Sequence, residues 1–149
     1  MSISTDTPRP QRVLYTAEST VTGGRAGHGR TSDGHLEVDL SIPTEMGGPG
    51  GPGTNPEQLF ATGYAACFQS AMAGVARRDG LTVDDSTVTG RVGIGPLGEG
   101  RFGLVVELRI HLPSIADRAA AEDLVAQAHQ RCPYSNAIRG NVDVTLSIT

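Results

Sequence analysis

The sequence predicts an α+β fold, and three observations carry that reading. A β-rich N-terminal third closes on a glycine–proline loop, a long helix signal with both ends marked follows it, and the remainder runs strand, strand, helix, strand. The chain has 149 residues, a length that suits one domain and buries about two-thirds of the unfolded surface. The expected division is a disordered or extended arm over residues 1–11 and a single domain over 12–149.

The elements follow in order. Residues 1–11 are polar and carry two prolines, which suits a frayed arm. The run from Arg12 to Thr20 is rich in β-formers and is followed by the turn-like Gly23–Gly27, which places Arg25 on a loop. Asp33-Gly34 is a hairpin signal, after which Leu36, Val38 and Leu40 alternate with Glu37, Asp39 and Ser41 as in a half-buried strand. The N-terminal third therefore reads as a β-meander. Residues 47–53, GGPGGPG, form a loop; no Gly-Lys-Ser/Thr follows, so it is no phosphate cradle. Asn55 as N-cap, Pro56 at the first helical position, Glu57 in the first turn and Gly80 as the stop define a helix over Pro56–Asp79, roughly 36 Å long at 1.5 Å per residue.

Strands are expected near Thr87–Gly95 and Arg101–Leu112. Between them Gly93, Gly95 and Gly98 match a dinucleotide-binding pattern by letter, but they lead into a strand and so mark a hairpin end. A second helix is expected from Ile115 to Arg131, with Ser114 and Asp117 at capping-box spacing and Pro133 as its break. Val142–Ile148 alternates as a final strand with one wet face.

A formal charge of −4 provides no basic field for nucleic acid or an anionic membrane surface. The first residues hold no apolar run that would serve as a signal peptide, and no later stretch reads as a bilayer span, so a cytoplasmic protein is expected. In a reducing compartment two cysteines point to reactive or metal-binding thiols before a permanent disulfide. Cys67 lies mid-helix among Phe60, Gly63, Tyr64, Phe68, Ala71 and Gly74, and from that segment alone it reads as readily as a buried structural thiol. Cys132 lies where the second helix ends against Pro133, a suitable place for a thiol that shifts to meet another. His129 and Cys132 have zinc-ligand spacing, though no second close pair supports a metal site. A Cys–His hydrolase is the remaining alternative, with none of His28, His35, His111 or His129 tied by sequence to Cys67.

Several strings taken together carry a family pattern: Leu14-Tyr15-Thr16-Ala17, Gly23-Gly24-Arg25, the run Gly53 to Ala61 (GTNPEQLFA), Gly63 to Phe68 (GYAACF), Cys132 to Ala137 (CPYSNA), and Arg139-Gly140-Asn141. They resemble the organic hydroperoxide resistance (Ohr) family of the OsmC-like superfamily, in register from about residue 13 onward. Ala26 departs from the pattern, which has an acidic residue after the Gly-Gly-Arg.

The resemblance implies an intertwined homodimer with antiparallel sheets wrapped around long central helices. It implies a thiol peroxidase that reduces alkyl and fatty-acid hydroperoxides to alcohols, with Cys67 peroxidatic, Cys132 resolving, and Arg25 and Glu57 completing the site. No bound cofactor and no metal are expected; the reductant is an external dithiol, a lipoylated protein or dihydrolipoamide. A guanidinium at Cys67 favours the thiolate, and a carboxylate at Glu57 holds the planar fork. Phe60, Tyr64 and Phe68 are core residues first and candidate walls of an apolar substrate pocket second. A zinc- or ligand-binding stress protein is the principal alternative.

Helix geometry adds one expectation. Glu57 and Cys67 are ten residues apart, roughly 15 Å along a straight helix and about 80° around it. One guanidinium hardly bridges that gap, so Glu57 is expected to serve the Cys67 of a two-fold-related partner.

Overall fold

The computed structural model describes residues 9–149. The expected arm over 1–11 therefore lies, for residues 1–8, outside the described residues; Arg9 to Arg12 are exposed and belong to no helix or strand. Where the sequence leads one to expect a single domain over 12–149, the described residues gather into two compact units that divide between Thr54 and Asn55.

The first unit is the expected meander: β1 (Ser19–Thr22), β2 (His28–Thr31) and β3 (Glu37–Asp39), antiparallel and in that order. Asp33 builds the β2–β3 turn by accepting from the Thr31 hydroxyl at 2.8 Å and the His35 N–H at 2.9 Å, with Gly34 at φ 74. The first strand is shorter than the sequence predicts. Arg12 to Glu18 lies outside it, and Val13, Leu14 and Tyr15 are 71%, 82% and 77% exposed. β-propensity extends a chain, but a strand needs a ladder, and β2 has only four residues to offer, pairing Ser19 with Thr31 through Thr22 with His28. Between β1 and β2, Gly23 and Gly24 take φ 76 and 58 to open a single 3-10 turn, Gly24–Ala26, that carries Arg25. Residues 47–53 connect as a loop, and Leu40 bridges Thr54.

The second unit begins with α1 (Pro56–Asp79), with the bounds its capping residues dictate: the Asn55 side chain accepts from the Gln58 N–H at 2.8 Å, and Gly80 closes it at φ 71. α1 is long and apolar enough to cross a membrane by length and composition, which corrects the expectation that no stretch is. Its apolarity has another use: Tyr64, Phe68, Met72, Val75 and Ala76 recur at helical spacing and are buried in the protein core.

β4 (Thr87–Gly98) and β5 (Arg101–His111) form a long antiparallel hairpin; β4 runs three residues past the expected Gly95, so Gly93 and Gly95 lie inside it, opposite Val105 and Gly103, while Gly98 stands at the turn. β6 (Asp143–Ile148) runs parallel to β5, so the expected wholly antiparallel sheets are corrected. The reason is the connection: α2 (Arg118–Arg131) and α3 (Pro133–Ile138) form a crossover that returns the chain to the same end of the sheet. α2 starts three residues later than predicted. Asp117 is its cap, accepting from the Ala119 N–H, while Ser114 instead donates to Asp85 at 2.6 Å. α3 is not foreseen by the sequence reading; Pro133 ends one helix and, with its fixed φ, opens the next.

α1 packs against β4, α2 and α3. Val106, Leu108 and Ile110 of β5 and Ala121, Leu124, Val125 and Ala128 of α2 complete the core with the buried row of α1. Each large aliphatic or aromatic side chain so buried contributes about 1.5–3 kcal/mol.

Candidate active site

Both cysteines belong to the second unit, and packing brings them together. Cys67 lies midway along α1 and is half-buried; Cys132 is wholly buried at the corner between α2 and α3, with φ −63 and ψ 121 breaking the helical path. The Cys132 thiol donates to the Cys67 sulfur at 3.4 Å, and both are free thiols. A disulfide is about 2.05 Å long, so a modest shift at the corner would close one. The two thiols differ in access: a solute meets Cys67, whereas Cys132 faces its partner sulfur. Burial pushes the Cys67 thiol above its ordinary value; the Tyr134 N–H, which bonds the sulfur, opposes that rise, and the neighbouring Cys132 adds to it.

Known proteins resemble this chain over most of its length. The OsmC-like protein family model covers residues 48–147. The chain is 56% identical over 140 residues to the organic hydroperoxide resistance protein of Xanthomonas axonopodis pv. citri, covering 93% of this chain and 97% of that one. With OhrB of Bacillus subtilis it shares 45% identity over 137 residues, 91% of this chain and 98% of the relative. The chain belongs to the organic hydroperoxide resistance family of OsmC-like proteins. Its fold agrees: the crystal structure of an organic hydroperoxide resistance protein from Legionella pneumophila superposes with a TM-score of 0.88 at 50% identity, covering 93% of this chain and 99% of that one. The crystal structure of B. subtilis OhrB gives 0.83 at 44% identity, covering 92% and 100%.

Among this Ohr chain's other expected site residues, Glu57 lies in the first turn of α1, half-buried, and Arg25 lies in the 3-10 turn of the first unit. Of the three aromatics set beside Cys67 by sequence, Phe60 is half-buried, while Tyr64 and Phe68 are wholly inside the core. Phe60 packs with Tyr64 at 6.0 Å and with Tyr134 at 5.8 Å between ring centroids, and Tyr134 retains 39% exposure. Phe60 and Tyr134 therefore form the accessible aromatic edge on this unit. His129 and Cys132, whose spacing suits zinc, are engaged separately: the imidazole Nδ1 meets the Ser135 Oγ at 2.8 Å and the thiol meets Cys67. Among the described residues no three His, Cys, Asp or Glu side chains are grouped to hold a metal ion.

Sequence reasoning missed the roles of Tyr134, Ser135 and His129. Tyr134 contributes its backbone N–H to Cys67 and packs its ring over Gly63, where an added Cβ would lie 3.0 Å from the phenolic oxygen. Ser135 is wholly buried, 2.6 Å from the Tyr64 Oη. For Tyr134 and Ser135 the signal was present in CPYSNA, a family string that is also the start of the third helix, α3, which packs against α1.

Proposed function

We propose that this chain is a cytoplasmic, homodimeric thiol peroxidase that reduces organic hydroperoxides to alcohols. The observation that carries the reading is the 3.4 Å contact between an accessible thiol on α1 and a wholly buried one at the α2–α3 corner. Similarity to relatives named for organic hydroperoxide resistance supports it.

The Cys67 thiolate attacks the terminal peroxide oxygen; the O–O bond breaks, the alkoxide takes a proton and leaves as the alcohol, and Cys67 becomes a sulfenic acid. Cys132 then attacks that sulfur, water leaves, and a disulfide remains, to be reduced by an external dithiol such as a lipoyl group. The roles of Arg25 and Glu57 rest on the family pattern. The guanidinium offsets the cost of a buried thiolate and hydrogen-bonds the peroxide, and the carboxylate holds the guanidinium in a bidentate pair. Apolar surface beside Cys67, formed by Phe60 and Tyr134, contributes about 25 cal/mol for each Å² of substrate carbon removed from water, and hydrogen peroxide has no carbon to bury.

The test is peroxide consumption by the purified protein with dihydrolipoamide as electron donor. The expected result is turnover of tert-butyl hydroperoxide with a kcat/KM well above that for hydrogen peroxide. Equal constants would refute the apolar selectivity, and no consumption of either would refute the activity.

A further inference from the structure

Closing a disulfide between Cys67 and Cys132, the step proposed above on which this inference rests, is a problem of position. The sulfurs stand 3.4 Å apart and a disulfide is about 2.05 Å long, so the α2–α3 corner has to bring Cys132 nearer along the right line. The backbone of the corner does not by itself aim it at α1. Cys132 leaves the helical path at ψ 121; its N–H donates to the Ala128 carbonyl and its carbonyl accepts from the Asn136 N–H. Those bonds tie the residue to α2 and to α3.

A tie to α1 is made one turn away. The buried polar residues among those described are Ser86 and Ser135, and Ser86 is engaged with Gln69. The Ser135 Oγ lies 2.6 Å from the Tyr64 Oη and 2.8 Å from the His129 Nδ1, so one hydroxyl joins α3 to α1 and to α2. Tyr64 precedes Cys67 by three residues, Ser135 follows Cys132 by three, and His129 precedes Cys132 by three. Residues three apart on a helix are neighbours on its surface. The Tyr64–Ser135 bond is therefore a second rung beside the Cys67–Cys132 contact, and the Ser135–His129 bond spans the corner with Cys132 at its apex. Tyr64 donates to Ser135 and Ser135 donates to the His129 Nδ1, an order that uses both hydroxyl protons. Burial and the Arg139 charge favour the neutral imidazole that this order needs. The Arg139 guanidinium also crosses the corner, donating to the His129 carbonyl at 2.6 Å, but that bond joins α3 to α2 and leaves α1 out.

We infer that Ser135 is a positioning residue for disulfide closure: bonded to Tyr64 and to His129, it clamps the α2–α3 corner onto α1 and so aims the Cys132 sulfur at an oxidised Cys67. Cys132 forms the S–S bond with its electron pair, the S–O bond of the sulfenic acid breaks, and the hydroxyl leaves with the Cys132 proton as water. The hydroperoxide of the first step is the oxidant, and the clamp itself moves no proton. Its contribution is geometric, because closure within one chain is fast only while the reacting atoms are held near contact.

The experiment is a single turnover of the reduced full-length protein with one equivalent of cumene hydroperoxide, following sulfenic acid by trapping and disulfide by intact mass in quenched samples. Ser135→Ala and His129→Ala are expected to slow disulfide closure at least ~10-fold relative to sulfenic-acid formation in the same traces. His129→Asn is expected to close within about 2-fold of the parental rate, because its amide oxygen takes the place of Nδ1 and keeps the Ser135 hydrogen bond. His129 is only partly buried, so this pair of variants decides the matter even if Ser135→Ala does not fold. Parental closure in His129→Ala would overturn the clamp, as would His129→Asn closing as slowly as His129→Ala. A parental protein that formed sulfenic acid but no Cys67–Cys132 disulfide would overturn the two-thiol cycle itself, and the clamp with it.

Discussion

Gly90 of β4 faces the carbonyl of Ala61 on α1 so closely that a Cβ on Gly90 would fall 2.7 Å from that oxygen. Sheet and helix meet backbone to backbone there, six residues before Cys67. Neither partner is a side-chain end able to swing aside, so Gly90→Ala is expected to cost about 1–3 kcal/mol through overpacking. Urea denaturation should give a lower midpoint at an unchanged slope. A parental midpoint would show that the helix moves off the sheet at little cost.

Cys132→Ser is expected to permit a first oxidation of Cys67 and then to stall. Without the thiol 3.4 Å away, the sulfenic acid persists and further peroxide converts it to sulfinic acid. Intact mass across a peroxide titration distinguishes one added oxygen from two, and Cys67→Ser should add neither. Normal dithiol-driven turnover by Cys132→Ser would remove Cys132 from the cycle.

Arg25→Gln is expected to move the reactivity of Cys67 to higher pH. Burial already pushes that thiol up, so the thiolate fraction grows as pH rises; a guanidinium lowers the midpoint, and removing it raises the midpoint by about one pH unit or more. The measurement is the pH dependence of Cys67 alkylation in a Cys132→Ser background. Identical midpoints with and without Arg25 would rule out its electrostatic role.

A mixed dimer tests whether each site draws on two chains. α1 is helical from Pro56 onward, so Glu57 and Cys67 stand roughly 15 Å apart along one helix, as the sequence geometry requires. Glu57→Ala and Cys67→Ser chains, each impaired alone, should together regain one intact site and about half the parental activity if Glu57 acts across a two-fold. No recovery in verified mixed dimers would place the site within a single chain.

What the sequence by itself determined is whatever a few consecutive residues decide. The bounds of α1 follow from Asn55, Pro56 and Gly80, and the β2–β3 turn from Asp33-Gly34, because those hydrogen bonds and backbone angles close within about four residues. The identity of the two thiols was legible for the same reason, as were the family strings around them. Tertiary structure alone decided that Cys67 and Cys132, 65 residues apart, touch. It also decided that β6 runs parallel to β5, that Arg12 to Glu18 finds no ladder, and that Ser135 joins Tyr64 to His129. The missing ladder follows from the four residues of β2, and the others depend on where α1, α2 and α3 come to rest against one another, which is set by the burial of side chains scattered along the second unit. A short window of sequence specifies a cap or a turn; it does not specify which distant hydroxyl or sulfur will complete a buried bond.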